Sequence, residues 1–127
     1  MGGRHAHTVL VVEADDDVRA LVSRMLEAPD RHVLAAANAG EALELADSNE
    51  IDLLLTDVVL PGVSGLRIVK LMRSLLPGLP VIYMSGWFDH PEFPELDGET
   101  VLRKPFSLRE LNRAVADALD GRSRLLK

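Results

Sequence analysis

Four polar side chains in this sequence have the chemistry needed to accept and hold a phosphoryl group. Glu13, Asp57 and Ser85 each end a short apolar run, and Lys104 follows another at Thr100 to Arg103. A carboxylate can attack phosphorus as a nucleophile, while an ammonium ion and a hydroxyl can bind the phosphoryl oxygens. If the four residues meet in the fold, they predict phosphoryl transfer onto a carboxylate.

The elements that must position these residues alternate along the chain. Apolar runs predict strands at residues 8–12, 32–36, 51–56, 81–84 and 100–103. Helical periodicity and capping residues predict helices at residues 15–27, 38–48, 64–76 and 107–119. Between residues 86 and 99, two prolines leave room only for a short or irregular fourth helix.

This alternation predicts an α/β fold with a five-stranded parallel sheet, doubly wound, with helices on both faces. Right-handed crossovers favour the strand order 2-1-3-4-5, as in flavodoxin-like folds, with ligands beyond the carboxyl ends of the strands. The strands that end at Glu13, Asp57, Ser85 and Lys104 are neighbours in this order. Asp57, Glu13 (directly or through water) and the backbone carbonyl of Val59 would then supply oxygen ligands for Mg²⁺.

Composition excludes several other classes of protein. The 127 residues suit one domain, and a net charge of −6 disfavours general binding to nucleic acid or anionic membranes. The absence of cysteine excludes disulfides and thiolate metal sites. With no signal peptide and no run near the roughly 18 apolar residues that span a bilayer, we expect a cytoplasmic protein. We expect a flexible tail at 1–7, the domain at 8–120 and a frayed basic tail at 121–127.

Several sequence segments, in the right order and spacing, resemble the response regulator receiver family over about residues 8 to 120. The matching segments are Val9 to Glu13 with Asp15 and Arg19, Asp52 to Gly65, Pro80 to Gly86, and Lys104 to Phe106. Any one segment is weak evidence, but four in register are specific. The residues of these segments are most similar to those of receivers attached to hybrid sensor histidine kinases in bacterial two-component signalling.

The resemblance implies a role for each matching residue. Asp57 would accept a phosphoryl group from the phosphohistidine of a histidine kinase or phosphotransfer protein, with Mg²⁺ bound. Ser85 would be the switch hydroxyl, and Lys104 would bind the phosphoryl oxygens. The peptide bond before Pro105 would be cis. The domain would be a monomer or weak homodimer that signals to a downstream protein, which the sequence does not identify.

Three departures from the family pattern stand out. Ala14 occupies the position of a second acid that usually ligates the metal, so we expect Mg²⁺ to bind at least about tenfold more weakly unless Asp15 substitutes. Val101 replaces an aromatic residue that often reports phosphorylation. The segment between residues 86 and 99 is short and acidic, which indicates an unusual partner or none.

Two functional interpretations remain open. The first is a phosphoacceptor domain, and the second is a pseudo-receiver that uses the same fold for phosphorylation-independent binding. Ala14 and Val101 favour the second. Asp57, Ser85 and Lys104 favour the first. A turnover enzyme is disfavoured because aspartyl phosphatases need an acid at the position of Val59. A dinucleotide-binding module is disfavoured because no Gly-rich turn follows the first strand.

Overall fold

A computed structural model describes residues 7–86, 96 and 98–125, with side chains described only as far as Gly121. The strands are β1 (His7–Val12), β2 (Arg31–Ala36), β3 (Leu53–Asp57), β4 (Val59–Leu60), β5 (Val63–Ser64), β6 (Val81–Ser85) and β7 (Thr100–Arg103). The helices are α1 (Asp16–Leu26), α2 (Ala39–Ser48), α3 (Gly65–Leu75) and α4 (Leu108–Leu125). None of the helices in the described part of the chain is long and apolar enough to cross a membrane.

The main sheet has five parallel strands in the order β2-β1-β3-β6-β7. When only the five strands of this sheet are numbered along the chain, β6 and β7 are the fourth and fifth. The order is then 2-1-3-4-5, and the prediction is confirmed. Asp57 lies opposite Met84, and Ser85 lies opposite Arg103, so the carboxyl ends of neighbouring strands meet at one edge. This edge is where the sequence predicts the functional residues.

A small feature of the loop after β3 was not predicted. Strands β4 and β5 form a two-stranded antiparallel hairpin in which Leu60 lies opposite Val63. Pro61 and Gly62 make its turn, and Gly62 has a φ of +82° that favours glycine. The predicted Pro-Gly loop is thus an ordered turn directly beside Asp57.

The sheet is covered by helices on both faces, as predicted. Val9 and Val11 of β1 face one apolar cluster with α1 and α4, while Leu10 and Val12 face another with α2 and α3. All four side chains are fully buried. Such continuous apolar runs are typical of strands with both faces covered, and burying a side chain of this size contributes about 1.5–3 kcal/mol.

The helices begin where capping residues predict. Asp15 caps α1, and the Asn38 side chain accepts a hydrogen bond of 2.9 Å from the Glu41 backbone N–H at the start of α2. Ser107 and Glu110 form a reciprocal capping box before α4, with bonds of 2.9 and 3.0 Å. Because each cap joins residues only three positions apart, these helix starts could be predicted from the sequence.

The expected boundaries differ from the structure at both ends. His7, assigned to a tail by the sequence analysis, begins β1 and lies opposite Arg31. Helix α4 continues to Leu125 instead of fraying from residue 121. A glycine inside a helix costs only about 1 kcal/mol, and no proline follows Gly121 to stop the helix. The predicted short fourth helix falls mostly outside the described residues.

Candidate functional site

Three charged side chains meet at the carboxyl edge of the sheet. Lys104 Nζ lies 2.7 Å from Glu13 Oε1 and 2.7 Å from Asp57 Oδ1. Glu13 and Asp57 are both buried, with exposed fractions of 3% and 4%. An ammonium ion therefore stands between two buried carboxylates, and the structure brings together three of the four residues on which the sequence argument depended.

Backbone hydrogen bonds extend the sheet into this site. The N–H of Lys104 donates to the carbonyl of Ser85 at 2.8 Å, directly beyond the paired residues of β6 and β7. On the other side, the N–H of Glu13 donates to the carbonyl of Ala36 at 3.0 Å. Asp57 is itself the last residue of β3. The rigid sheet thus fixes the main chain of each charged residue, and the Lys104–Pro105 peptide bond that follows is cis.

Lys104 contacts both carboxylates. Its ammonium group donates a hydrogen bond to Glu13 Oε1 at one side of Asp57 and forms an ion pair of the same length, 2.7 Å, with Asp57 Oδ1. Asp57 Oδ1 is buried. Its close partner is the Lys104 ammonium group at 2.7 Å, and a buried carboxylate oxygen with one cationic partner favours a further cation or an electrophile.

The close packing of charge shifts the pKa of each group. Burial, together with the neighbouring Glu13 carboxyl, raises the pKa of Asp57 to about 7 against the opposing effect of Lys104. Burial alone would raise the pKa of Glu13, but hydrogen bonds from Asp57, Lys104 and the Asp15 N–H lower it overall. Burial opposes the charged form of Lys104, yet its two carboxylate partners raise its pKa. Of the two carboxyl groups, Asp57 is therefore the one whose charged form is disfavoured, and it is only partly ionised near neutral pH.

Gly65 allows the loop after β3 to pack against the acceptor. Its N–H donates to the carbonyl of Val58 at 2.7 Å, and a Cβ added at this position would lie 1.8 Å from the carbonyl oxygen of Asp57. No other residue fits without moving that backbone. Gly65 could be recognised from sequence only as part of a motif, because the close approach of two backbone segments leaves no periodic signal.

Arg19 holds the turn between β1 and α1. Its Nη1 donates to the carbonyl of Glu13 at 2.9 Å, and its Nη2 pairs with Asp16 at 2.6 Å. The side chain is 22% exposed. Arg19 was likewise recognisable from sequence only as a motif position. Its contribution is to fix the main chain that carries the first carboxylate.

The oxygen atoms at the site suit a hard divalent cation. Asp57 and Glu13 provide carboxylates, and the backbone carbonyl of Val59 follows two residues after Asp57. In the described residues there is no cluster of three acidic, histidine or cysteine side chains. Mg²⁺ is commonly held by one or two carboxylates and keeps several waters, so this donor set fits it in kind while providing few protein ligands.

Comparison with known proteins decides the family. The model of the response regulator receiver domain matches residues 9–116. The chain belongs to this family. It is 33% identical over 118 residues to the sensor kinase CckA of Brucella abortus, covering 89% of this chain and 12% of CckA. It is 31% identical over 106 residues to the receiver protein CpdR of the same organism, covering 81% of this chain and 88% of CpdR.

A solved structure agrees with this assignment. The receiver domain of the hybrid histidine kinase CckA superposes with a TM-score of 0.74 and 35% identity, covering 88% of this chain and 98% of that domain. The resemblance inferred from sequence segments is therefore confirmed. The chain spans only 12% of CckA, so it corresponds to one domain of that relative.

The other predicted positions of the receiver domain lie at the end of β6 or directly after Glu13. Ser85 is half-buried, and its Oγ contacts the carbonyl of Gly86 at 3.4 Å. Ala14 is half-buried and packs against the apolar cluster on the α2 and α3 side of the sheet. Asp15 is exposed, and its Oδ1 accepts a bond of 2.9 Å from the Val18 N–H as the cap of α1. Asp15 is thus already engaged elsewhere.

Proposed function

We propose that this receiver domain accepts a phosphoryl group on Asp57 and acts as a conformational switch. The observation that carries the proposal is an ammonium group, that of Lys104, held 2.7 Å from an oxygen of the buried Asp57 carboxylate. Phosphoryl transfer depends mainly on positioning and on neutralising the charge of the phosphoryl oxygens. This arrangement supports both.

The proposed reaction is a transfer from phosphohistidine. An oxygen of ionised Asp57 attacks phosphorus, the P–N bond to the donor breaks, and its electron pair returns to the imidazole nitrogen. Lys104 neutralises the phosphoryl oxygens, and the hydroxyl of Ser85 donates a hydrogen bond to them. Mg²⁺, when bound, would add charge neutralisation, with Asp57, the Val59 carbonyl and Glu13 as the residues that hold it.

The cation site is expected to be weak. Ala14 presents a methyl group packed on the core, and Asp15 serves as a helix cap. Losing even an indirect ligand commonly costs about tenfold in metal affinity. We therefore propose that Mg²⁺ binds at least about tenfold more weakly than it would with an acid at position 14.

Phosphorylation would act through charge. It adds about −1.5 to −2 charges at Asp57 and biases an equilibrium between two conformations, with Ser85 as the moving hydroxyl. Position 101 is a valine, so no aromatic side chain can report the change there. We propose a switch without turnover chemistry, acting in the cytoplasm as a monomer or weak homodimer.

An apolar groove supports a protein donor. It has a volume of about 330 Å³ and is lined by Val18, Leu21, Val22 and Met25 of α1 and by residues 104–106. Because Lys104 belongs to both the groove and the charged triad, a partner seated on α1 would reach the acceptor. We propose that the phosphohistidine-bearing domain of a histidine kinase, or a phosphotransfer protein, occupies this groove.

Mass spectrometry of the intact protein tests the phosphoacceptor role. Incubation with acetyl phosphate and Mg²⁺ should add one phosphoryl group, and the adduct should disappear in Asp57→Asn. Asp47→Asn, at an exposed site on α2, is the matched control and should be phosphorylated like the parent protein. Absence of an adduct at saturating donor would favour the pseudo-receiver instead.

A further inference from the structure

Helices α2 and α3 lie side by side on one face of the sheet. Residues of both pack into the apolar cluster that contains Leu10 and Val12 of β1. Each helix begins at the carboxyl edge of the parallel sheet and leads to the start of the next strand, so the two run in the same direction. We refer to their joint outer surface as the α2–α3 face. Its exposed residues on these helices include Glu41, Glu44, Arg67, Lys70, Leu71 and Leu75.

The charges of this face are separated by sign between the two helices. The charged residues of α2 are all acidic, whereas those of α3 are all basic. Glu41 and Arg67 are each the third residue of their helix, and Glu44 and Lys70 are each the sixth. In the described part of the chain, no ion pair joins α2 to α3. The two helices therefore carry matching stripes of opposite charge that do not neutralise each other within one molecule.

Two exposed leucines of α3 lie between these stripes. Leu71 and Leu75 are 38% and 60% exposed. At 3.6 residues per turn, each lies about 160° around the helix from Arg73. Arg73 donates to the carbonyl of Leu79 and pairs with Glu99, just before β7, so it marks the flank of α3 that faces away from α2. The exposed leucines are therefore on the α2 side, between the acidic and the basic helix.

We propose that the α2–α3 face binds the same face of a second copy of this chain. A two-fold axis parallel to the helices would place α2 of each copy on α3 of the other. Glu44 would then meet Lys70 of the second copy, and the reciprocal pair would form across the axis. Leu71 and Leu75 of both copies would meet near the axis.

This arrangement has the organisation of a specific protein interface. Its centre is apolar and its rim is charged, and the opposite charges fix which helix meets which. A second copy fits better than a nucleic acid, because the acidic stripe of α2 would repel phosphates. The inference goes beyond the phosphoacceptor function and does not depend on it, because all of these contacts are available to the unphosphorylated protein.

Sedimentation equilibrium of the full unphosphorylated chain tests the proposal by charge reversal. The parent protein should dimerise reversibly as its concentration rises. Glu44→Lys and Lys70→Glu should each weaken dimerisation about tenfold or more, because each places two like-charged contacts in the symmetric interface. An equimolar mixture of the two variants should recover nearly the parent affinity, since both contacts of the mixed dimer again join opposite charges.

The recovery in the mixture is the decisive outcome. A contact with any other surface of the chain would not be restored by mixing, so variants that stay dissociated together would overturn the proposal. A parent protein that is monomeric at every concentration would also overturn it. Because the protein is unphosphorylated throughout, neither result bears on whether Asp57 forms an adduct with acetyl phosphate.

Two matched controls lie on the other side of the sheet. Glu27→Lys, directly after α1, and Arg113→Glu, on α4, reverse the same charges at exposed positions and should leave dimerisation unchanged. Leu75→Ser should weaken it without a change in the urea midpoint beyond that of the controls, because the side chain is exposed in one molecule. Dissociation by Arg113→Glu with no effect of Lys70→Glu would assign the interface to the opposite side and refute the α2–α3 face.

Discussion

The ion pairs at the two edges of the sheet differ in distance and in burial. At the carboxyl edge, Lys104 meets Glu13 and Asp57 at 2.7 Å, and the two carboxylate side chains are 4% and 6% exposed. At the amino edge, Arg73 meets Glu99 at 3.7 Å with side chains 37% and 28% exposed, beside a larger cavity of about 780 Å³. The edge with the larger cavity carries the looser ion pair.

The comparison shows that burial of charge, and not the size of a cavity, distinguishes the edge at which we propose phosphorylation. Exposed ion pairs contribute about 0–1 kcal/mol, because water screens them and side-chain entropy opposes them. Buried charges cost several kcal/mol unless they are closely paired, so a fold retains them only with well-arranged partners. Four experiments test this difference between the edges.

Gly65→Ala should have the largest effect on stability. The added Cβ would lie 1.8 Å from the Asp57 carbonyl oxygen, so the loop and the end of β3 must separate. We expect a loss of about 3 kcal/mol in the free energy of unfolding, measured in urea, with slower phosphorylation. Gly121→Ala is the matched control, because nothing lies within 4 Å of a Cβ there and alanine favours the helix. Equal stability of the two variants would contradict the structure.

The pH dependence of stability should identify the proton on Asp57. The folded protein keeps this proton up to a pKa of about 7, whereas the reference value is 3.8. The folded state therefore binds more protons in this window, and the free energy of unfolding falls as pH rises through it. The opposite contribution of Glu13, whose pKa is lowered, is lost only as pH falls below its reference value of 4.5.

Between pH 5 and 8, the parent protein should lose on the order of 2 kcal/mol relative to Asp57→Asn, which cannot ionise at that position. Urea unfolding of both proteins across this range measures the difference. Asp47→Asn should follow the parent curve. Parallel curves for the parent protein and Asp57→Asn would show that the buried acceptor titrates normally.

Ala14→Asp should strengthen the cation site. The change adds a carboxylate to the residue directly after Glu13, and we expect about tenfold tighter Mg²⁺ binding by calorimetry if that side chain turns from the core to the cation. Ala20→Asp adds the same charge at an exposed position of α1 and controls for general electrostatic attraction. Similar gains in the two variants would mean that position 14 does not contact the cation.

Glu99→Gln should have the smallest effect. It removes the exposed ion pair with Arg73 at the amino edge, so the free energy of unfolding should change by less than about 1 kcal/mol. Phosphorylation by acetyl phosphate should be unchanged. A large loss of either property would erase the distinction between the two edges.

The sequence allowed much of the fold to be predicted because local signals agreed. Buried runs such as 8–12 read as strands, and caps such as Asn38 and Ser107 have short-range partners. The ends of the parallel strands then placed Glu13, Asp57 and Lys104 at one edge. The end of α4 was less predictable, since a single glycine neither stops a helix nor guarantees its continuation.

The details of the site depend on contacts between distant segments. The hydrogen bond that Lys104 donates to Glu13 joins residues 91 positions apart, and the approach of Gly65 to Asp57 involves only backbone atoms. The bond from Arg19 to the Glu13 carbonyl likewise depends on the turn between them. No periodic pattern encodes such geometry, so residue types could indicate the chemistry but not the distances between the groups.

The capping box before α4 connects the main chain of Lys104 to the first turn of that helix. Only Pro105 and Phe106 separate Lys104 from Ser107, whose side chain and that of Glu110 lock the first turn of the helix. Helix α4 has 18 residues and is therefore about 27 Å long. A tilt of about 10° at its first turn would carry the far end through roughly 5 Å, the length of about one helical turn. A small tilt of α4 that begins beside the Lys104 ammonium group would therefore displace the far end of the helix.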